Sequence, residues 1–240
     1  MTDQTPNDDS PEAPRPAPKK SELTRAKILD AALELLEEQG YAAATMRAIA
    51  EKAGVSVGNA YYYFKSKDEL VQGFYLRTHK EHLVVAEPAI RAERGFKKRL
   101  LAAMRTKLET IEPYHDFAGV LFKTAADPKS PLNPFSEASQ PVRAEATALF
   151  TLVLDDPKLK LPKDLAAELP DLLWTWQMGV VMYWVHDESP GRRKTWFLME
   201  RTVDLIAKLV TLSSLKIMSP VRRSALKLVK DLREGGESAG

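Results

Sequence analysis

The sequence predicts an all-α chain in two parts, a short N-terminal three-helix unit and a larger helical domain. Apolar residues recur every three or four positions through most of its length, and no stretch alternates apolar with polar residues as a half-buried strand would. Glycines, prolines and small hydroxylated residues fall between the periodic stretches, where helices start and stop. At 240 residues the chain is long enough for two modest domains.

Residues 1–20 hold five of the sixteen prolines and almost no bulky apolar side chain, so they read as a disordered tail. Ser21 caps a first helix whose apolar series is Leu23, Ile28, Leu29, Ala32, Leu33 and Leu36, and Gly40 closes it. Thr45 caps a short second helix carrying Met46, Ile49 and Ala53. Gly54 breaks that helix, Ser56 caps a third, and Ser66 caps a fourth that runs towards Pro88. Further helical patterns cover 95–111, 114–125, 140–154, 165–186 and 191–215, with a proline-rich connection at 127–134. The tail 216–240 holds one more amphipathic pattern through Val221, Leu228 and Leu232 and ends in residues expected to fray. The expected organisation is therefore a tail at 1–20, a first unit at 21–67, a larger domain at 68–215 and an extension at 216–240.

Composition excludes several function classes. There is no cysteine, which rules out disulfides, thiolate metal sites and cysteine nucleophiles and fits a reducing cytoplasm. No run of about 18 apolar residues exists to cross a bilayer, and the acidic, proline-rich N-terminus does not look like a secretory signal, so a cytoplasmic protein without a membrane partner is expected. No nucleophile–base pair or phosphate-binding loop points to an enzyme, and no cofactor is implied. His79 and His82, three apart on a helix, could both touch one metal ion, but no acid or cysteine completes a site by spacing, and none is expected. Net charge is only +2, and between Ser21 and Lys67 six basic and six acidic residues cancel.

The chemistry lies in the order of residues 45–64. A helix-turn-helix needs a first helix braced on the DNA backbone, a tight turn, and a second helix that enters the major groove. Thr45 to Ser56 supplies the cap, Arg47, the small Ala50, a Gly54 turn, Val55 as a core plug, and the second cap. The next helix, Val57-Gly58-Asn59-Ala60-Tyr61-Tyr62-Tyr63-Phe64, carries four consecutive aromatic rings. At 100° per residue they cannot all face one side, so some hydroxyls must meet solvent or a partner while others serve packing.

These residues resemble the DNA-binding signature of the tetracycline-repressor (TetR) family. The match runs through Arg47, Ile49-Ala50, Ala53-Gly54-Val55-Ser56, Gly58, Tyr61, Phe64, Lys67 and Leu70, with Ile28, Ala31-Ala32, Leu35-Leu36 and Gly40-Tyr41 before it. It covers about a quarter of the chain. Ala60 stands where the family usually has leucine, and Asn59 where threonine is common. The resemblance implies that Val57, Gly58 and Tyr61 face base edges. It implies that Thr45, Arg47, Asn59, Tyr62, Tyr63 and Lys67 grip phosphates, with Ser56 at the head of the same helix.

A two-fold operator requires a two-fold protein. The helices at 165–186 and 191–215 are apolar around much of their circumference, which suits burial on more than one side. Leu172, Trp176, Gly179, Tyr183, Met199, Val203 and Ile206 are the expected homodimer face. The family resemblance also implies an effector pocket among the middle helices. Met104, Leu108, Phe117, Leu121, Phe122, Phe150, Trp174, Met178 and Trp184 would line it for a small apolar or aromatic molecule, or else form ordinary core. The function expected is a homodimeric repressor released from palindromic double-stranded DNA by that effector. The alternative is a DNA-binding regulator without a small-molecule ligand.

Overall fold

A computed structural model describes residues 20–233. They form ten α-helices, with no strand among the described residues: α1 (Lys20–Ala43), α2 (Met46–Lys52), α3 (Val57–Tyr63), α4 (Lys67–Ala92), α5 (Phe96–Ile111), α6 (His115–Ala125), α7 (Gln140–Leu154), α8 (Lys163–Val185), α9 (Arg193–Ser213) and α10 (Ser219–Arg233). The segments expected to be disordered or frayed, 1–19 and 234–240, lie outside the described residues. Gly40 takes φ 78°, ψ 168°, so the regular part of α1 ends at the glycine the sequence marks.

One boundary differs from expectation. Helix α4 does not stop near Pro88 but continues through it to Ala92. Pro88 cannot donate to the carbonyl of Val84, yet both residues are exposed, so water can take that carbonyl in place of the missing N–H.

The interior is two apolar clusters. The first joins Ile28, Leu29, Leu36, Ile49, Ala60 and Phe64 to Leu70, Val71 and Phe74 of α4. It also takes in Ala125, at the end of α6, and Leu132, from the proline-rich connection. Leu132 is only 1% exposed, Gln72 Nε2 donates to the Pro131 carbonyl at 3.3 Å, and the Tyr114 ring meets Phe74 edge-on at 4.8 Å. The larger domain thus reaches into the core of the helix-turn-helix unit. The second cluster fills the space between α4, α5, α7, α8 and α9, with Ala86, Leu100, Met104, Leu108, Phe150, Leu173 and Trp184. Helix α10 adds Leu226 to it, and Arg222 ties that helix to Asp164 (3.0 Å) and to the Ser213 carbonyl (2.7 Å). Because α4 supplies side chains to both clusters, it is the mechanical link between them.

Two residues leave the expected dimer face. Met199 and Val203 are fully buried inside the protomer, where they pack with Leu100 and Met104. The face of α9 turned outward carries Phe197, Leu205, Leu209 and Leu212 instead. Among the other expected face residues, Leu172, Trp176 and Ile206 are half-buried, while Gly179 and Tyr183 are exposed. Of the expected pocket residues, Met104, Leu108, Phe150, Trp174 and Trp184 are packed core, and Phe122 and Met178 are half-buried. The side chains of Phe117 and Leu121 lie outside the described ones. A cleft of about 490 Å³ opens elsewhere, at the α8–α9 turn, between Tyr183 and Lys194.

Helix α4 also buries polar groups. His82 is 2% exposed, with Nε2 3.2 Å from the Ala103 carbonyl. Burial, reinforced by nearby Lys107, pulls its pKa down from 6.5 to about 3. The unfolded chain then takes up this proton at a higher pH than the folded one. Stability is full above pH 6.5 and falls as pH drops below it, by about 1.4 kcal/mol per unit from this group alone. Urea denaturation at pH 7 and pH 5 should show a loss of about 2 kcal/mol that is clearly smaller in His82→Met; equal losses in the two proteins would contradict it.

Candidate nucleic-acid interface

Three capped helix starts frame the N-terminal unit. Thr45 and Ser56 have extended backbones, and their hydroxyl oxygens accept from the N–H of Ala48 (3.2 Å) and Asn59 (3.1 Å). Ser66 does the same for Glu69 at 3.2 Å. Each cap satisfies an N–H that the first helical turn leaves without a partner. Between α2 and α3 the chain reverses at Gly54, whose φ of 66° lies in the left-handed region that glycine reaches at no steric cost. The Val55 N–H closes the turn on the Ala50 carbonyl at 3.0 Å.

The aromatic run on α3 divides cleanly. Ala60 and Phe64 point inward, and Phe64 packs with the Arg25 guanidinium, 4.6 Å over its ring, and with the backbone at Gly73. Full burial of Ala60 shows that the small residue suits this packing. Tyr63 is half-buried and lies against the first cluster, edge-on to Tyr62 at 5.1 Å. Val57, Tyr61 and Tyr62 face solvent, Tyr62 being 78% exposed. Four neighbouring aromatics thus split into one core anchor, one bracket and two rings offered to a partner.

Gly58 discriminates between packing and recognition. Its φ is not in the left-handed region, and a Cβ placed there would meet no atom within 4 Å. Nothing inside the chain needs a glycine, and glycine in a helix costs up to about 1 kcal/mol relative to alanine. A bare backbone on the exposed start of α3 therefore points outward, to a surface that must approach closely.

The electrostatics explain why net charge is uninformative. Lys52 is engaged by Glu34 (3.1 Å) and Glu38 (2.8 Å) on α1, and Arg77 pairs with Asp30, so much of the acid cancels base away from α3. Thr45, Arg47, Ser56 and Asn59 remain exposed. Lys67 differs from expectation: its ammonium donates to the Tyr41 carbonyl and stands 4.4 Å over the Tyr41 ring, pinning the end of α1. Two of its three N–H groups remain for an outside acceptor. Next to it the Tyr41 hydroxyl donates to Asp68, and burial, then that carboxylate, push the tyrosine pKa up. Lys65, placed by the sequence near the DNA face but given no contact there, is exposed between α3 and α4 with its backbone N–H held by Glu69 at 2.8 Å. Its position in the motif carries no cap or turn signal. Among the described residues no group of three histidine, cysteine or acidic side chains is placed to hold a metal ion, and no helix is long and apolar enough to cross a membrane.

Comparison with known proteins agrees with this geometry. Residues 28–73 match the model for bacterial regulatory proteins of the tetR family, and residues 99–232 match the tetracyclin repressor-like C-terminal domain. An uncharacterised HTH-type transcriptional regulator of Bacillus subtilis, YvkB, is 32% identical over 120 residues, which is 50% of this chain and 62% of that protein. The HTH-type transcriptional activator FasR of Mycolicibacterium smegmatis is 31% identical over 169 residues, 69% of this chain and 74% of that protein. The crystal structure of a TetR transcriptional regulator from Nitrosomonas europaea superposes with a TM-score of 0.60 at 20% identity, covering 75% of this chain and 96% of that one. With both its helix-turn-helix unit and its larger domain matched, the chain belongs to the TetR family of DNA-binding transcriptional regulators.

Proposed function

We propose that this regulator is a homodimer that binds a palindromic operator, represses from it, and leaves it when a small molecule enters the larger domain. The observation that carries the DNA-binding half is the start of α3, where an unforced glycine sits among exposed Val57, Tyr61 and Tyr62. In this reading Val57, Gly58 and Tyr61 meet base edges. Thr45, Arg47, Ser56, Asn59, Tyr62, Tyr63, Lys67 and the added Lys65 hold phosphates. Dimerisation draws support from the outward apolar face of α8 and α9, and from Gly179, where a Cβ would meet open space. An apolar or aromatic effector would enter the middle helices among Met104, Leu108, Phe122, Phe150, Trp174, Met178 and Trp184. Release follows if the DNA-free conformation binds it better. Helix α4 offers the route, since it supplies side chains to both clusters. FasR is named an activator; the sign of regulation depends on where the operator lies relative to the promoter, while the grip on DNA is the same.

Gly58→Gln tests the reading with little risk to the fold. Glutamine is the better helix former by several tenths of a kcal/mol, so Tm should stay level or rise. Affinity for an operator in the DNA upstream of the protein's own coding region should fall by about tenfold or more, roughly the worth of one good base contact. Wild-type binding should weaken steeply with added salt. Unchanged affinity in Gly58→Gln would remove α3 as the groove helix.

A further inference from the structure

The proline-rich connection between α6 and α7 is one turn used three times. Asp127, Ser130 and Asn133 each begin a turn, and each is followed by a proline, Pro128, Pro131 and Pro134. The carbonyl of each first residue accepts from the N–H three positions on, that of Ser130 (3.0 Å), Asn133 (3.0 Å) and Ser136 (2.9 Å). Its side-chain oxygen accepts from the N–H two positions on, that of Lys129 (2.9 Å), Leu132 (3.2 Å) and Phe135 (2.8 Å). Proline in second place fixes φ, and a short oxygen-bearing side chain in first place closes the turn. Asn133 Nδ2 and Ser136 Oγ also reach back to the Asp127 and Pro131 carbonyls, at 3.3 and 3.0 Å. The turns are thus bonded to one another as well as closed on themselves, which makes the connection a stiff strut.

This strut has a fixed point in each half of the molecule. Its second turn puts Leu132 into the cluster that holds Phe64, Leu70 and Phe74, and Gln72 of α4 donates to the Pro131 carbonyl. In its third turn the Phe135 ring meets Trp174 of α8 at 5.3 Å. Arg143 of α7 donates through Nη1 to the Pro134 carbonyl (2.7 Å) and the Ser136 carbonyl (3.3 Å), with its guanidinium 5.8 Å over the same Trp174 ring. Trp174 is core of the larger domain. Leu132 and Phe135 stand three residues apart, so a single turn spans the distance between the two cores. Helix α4 joins the same clusters along its length; the strut is a second link, entering from the side of α7 and α8.

We propose that Arg143 is a positioning residue for DNA binding. By clasping the third turn it holds the strut in place, and through Leu132 the strut fixes how the helix-turn-helix unit sits on the larger domain. Without the clasp the turns persist but their anchor is lost, and the unit samples more orientations. Affinity then falls with the fraction of time spent in the orientation that fits DNA. The positioning role is the same with or without an effector.

The test compares the full chain with Arg143→Met and Arg143→Lys on one operator fragment, taken from the DNA upstream of its own coding region or selected from a random-sequence pool. At a temperature where circular dichroism shows all three proteins folded, Arg143→Met should bind about fivefold or more weakly. Arg143→Lys should recover most of that loss, because an ammonium can donate to both carbonyls. Amide exchange in Arg143→Met should accelerate across 130–136 and 70–74 and stay level across α9. Leu132→Ala should weaken binding too, and the double variant should bind no more weakly than the weaker single one, since both cut the same path. If Leu132→Ala unfolds the N-terminal unit, Phe135→Ala takes its place in the cycle. Linkage requires the reverse effect as well: operator DNA should slow exchange at 132–136 in the wild type, and less so in Arg143→Met. Operator affinity of Arg143→Met within about twofold of wild type, or single effects that add in full, overturns the positioning role. Weaker binding that Arg143→Lys does not recover, with faster exchange throughout α7 and α8, is general damage to the fold and overturns it too.

Discussion

Phe64→Ala is expected to abolish operator binding while the larger domain stays folded. Phe64 ends α3 in an extended conformation, its N–H returned to the Ala60 carbonyl at 2.9 Å and its ring 1% exposed. Arg25 of α1 covers one side of the ring. A Cβ at Gly73 of α4 would stand 3.0 Å from Cε1, so the glycine leaves room for the ring. One side chain thus fastens the recognition helix to the helices on either side of it. Removing a buried phenylalanine ring costs about 3–5 kcal/mol, a large share of the roughly 5–15 kcal/mol that holds a small domain together. The damage should stay local, because the second apolar cluster contains none of these residues. Hydrogen exchange should accelerate across 45–74 and change little across 96–111, and mobility shifts with operator DNA should disappear. Gly73→Val crowds the same ring and should reproduce both effects in milder form. Operator affinity within threefold of wild type in Phe64→Ala would refute the role given to this ring.

Much of this was legible in the sequence, for identifiable physical reasons. Caps and glycines act through their own backbone, so Thr45, Gly54, Ser56 and Ser66 could be placed without tertiary information. Periodicity located every helix, and α4 outran its forecast at Pro88, whose exposure lets water take the Val84 carbonyl. What periodicity cannot say is which side of an all-round apolar helix faces its own domain. Met199 and Val203, expected on the dimer face, are for that reason found buried within the protomer instead. The partnership of Lys67 with Tyr41 was out of reach, since it depends on how α1 ends relative to α4.

The two sides of α9 make opposite predictions. Phe197, Leu205, Leu209 and Leu212 form one stripe, each 45–62% exposed, and Met182 and Tyr183 of α8 extend the exposed apolar surface. Large apolar side chains gathered along two neighbouring helices mark a surface that a partner covers. If the partner is a second copy, the double substitution Leu205→Asp with Leu209→Asp places four carboxylates in one two-fold interface. Light scattering should then report a monomer near 26.9 kDa with unaltered helical content. Operator affinity should fall by about 10²–10⁴, because each half-site must then be bound without the second. Met199→Ala, on the inner side, should lower stability by about 2–5 kcal/mol and leave the oligomeric mass unchanged. The contrast separates a folding contact from an assembly contact on a single helix. A double aspartate variant that remains dimeric would move the interface off this stripe and, with it, the spacing of the two recognition helices.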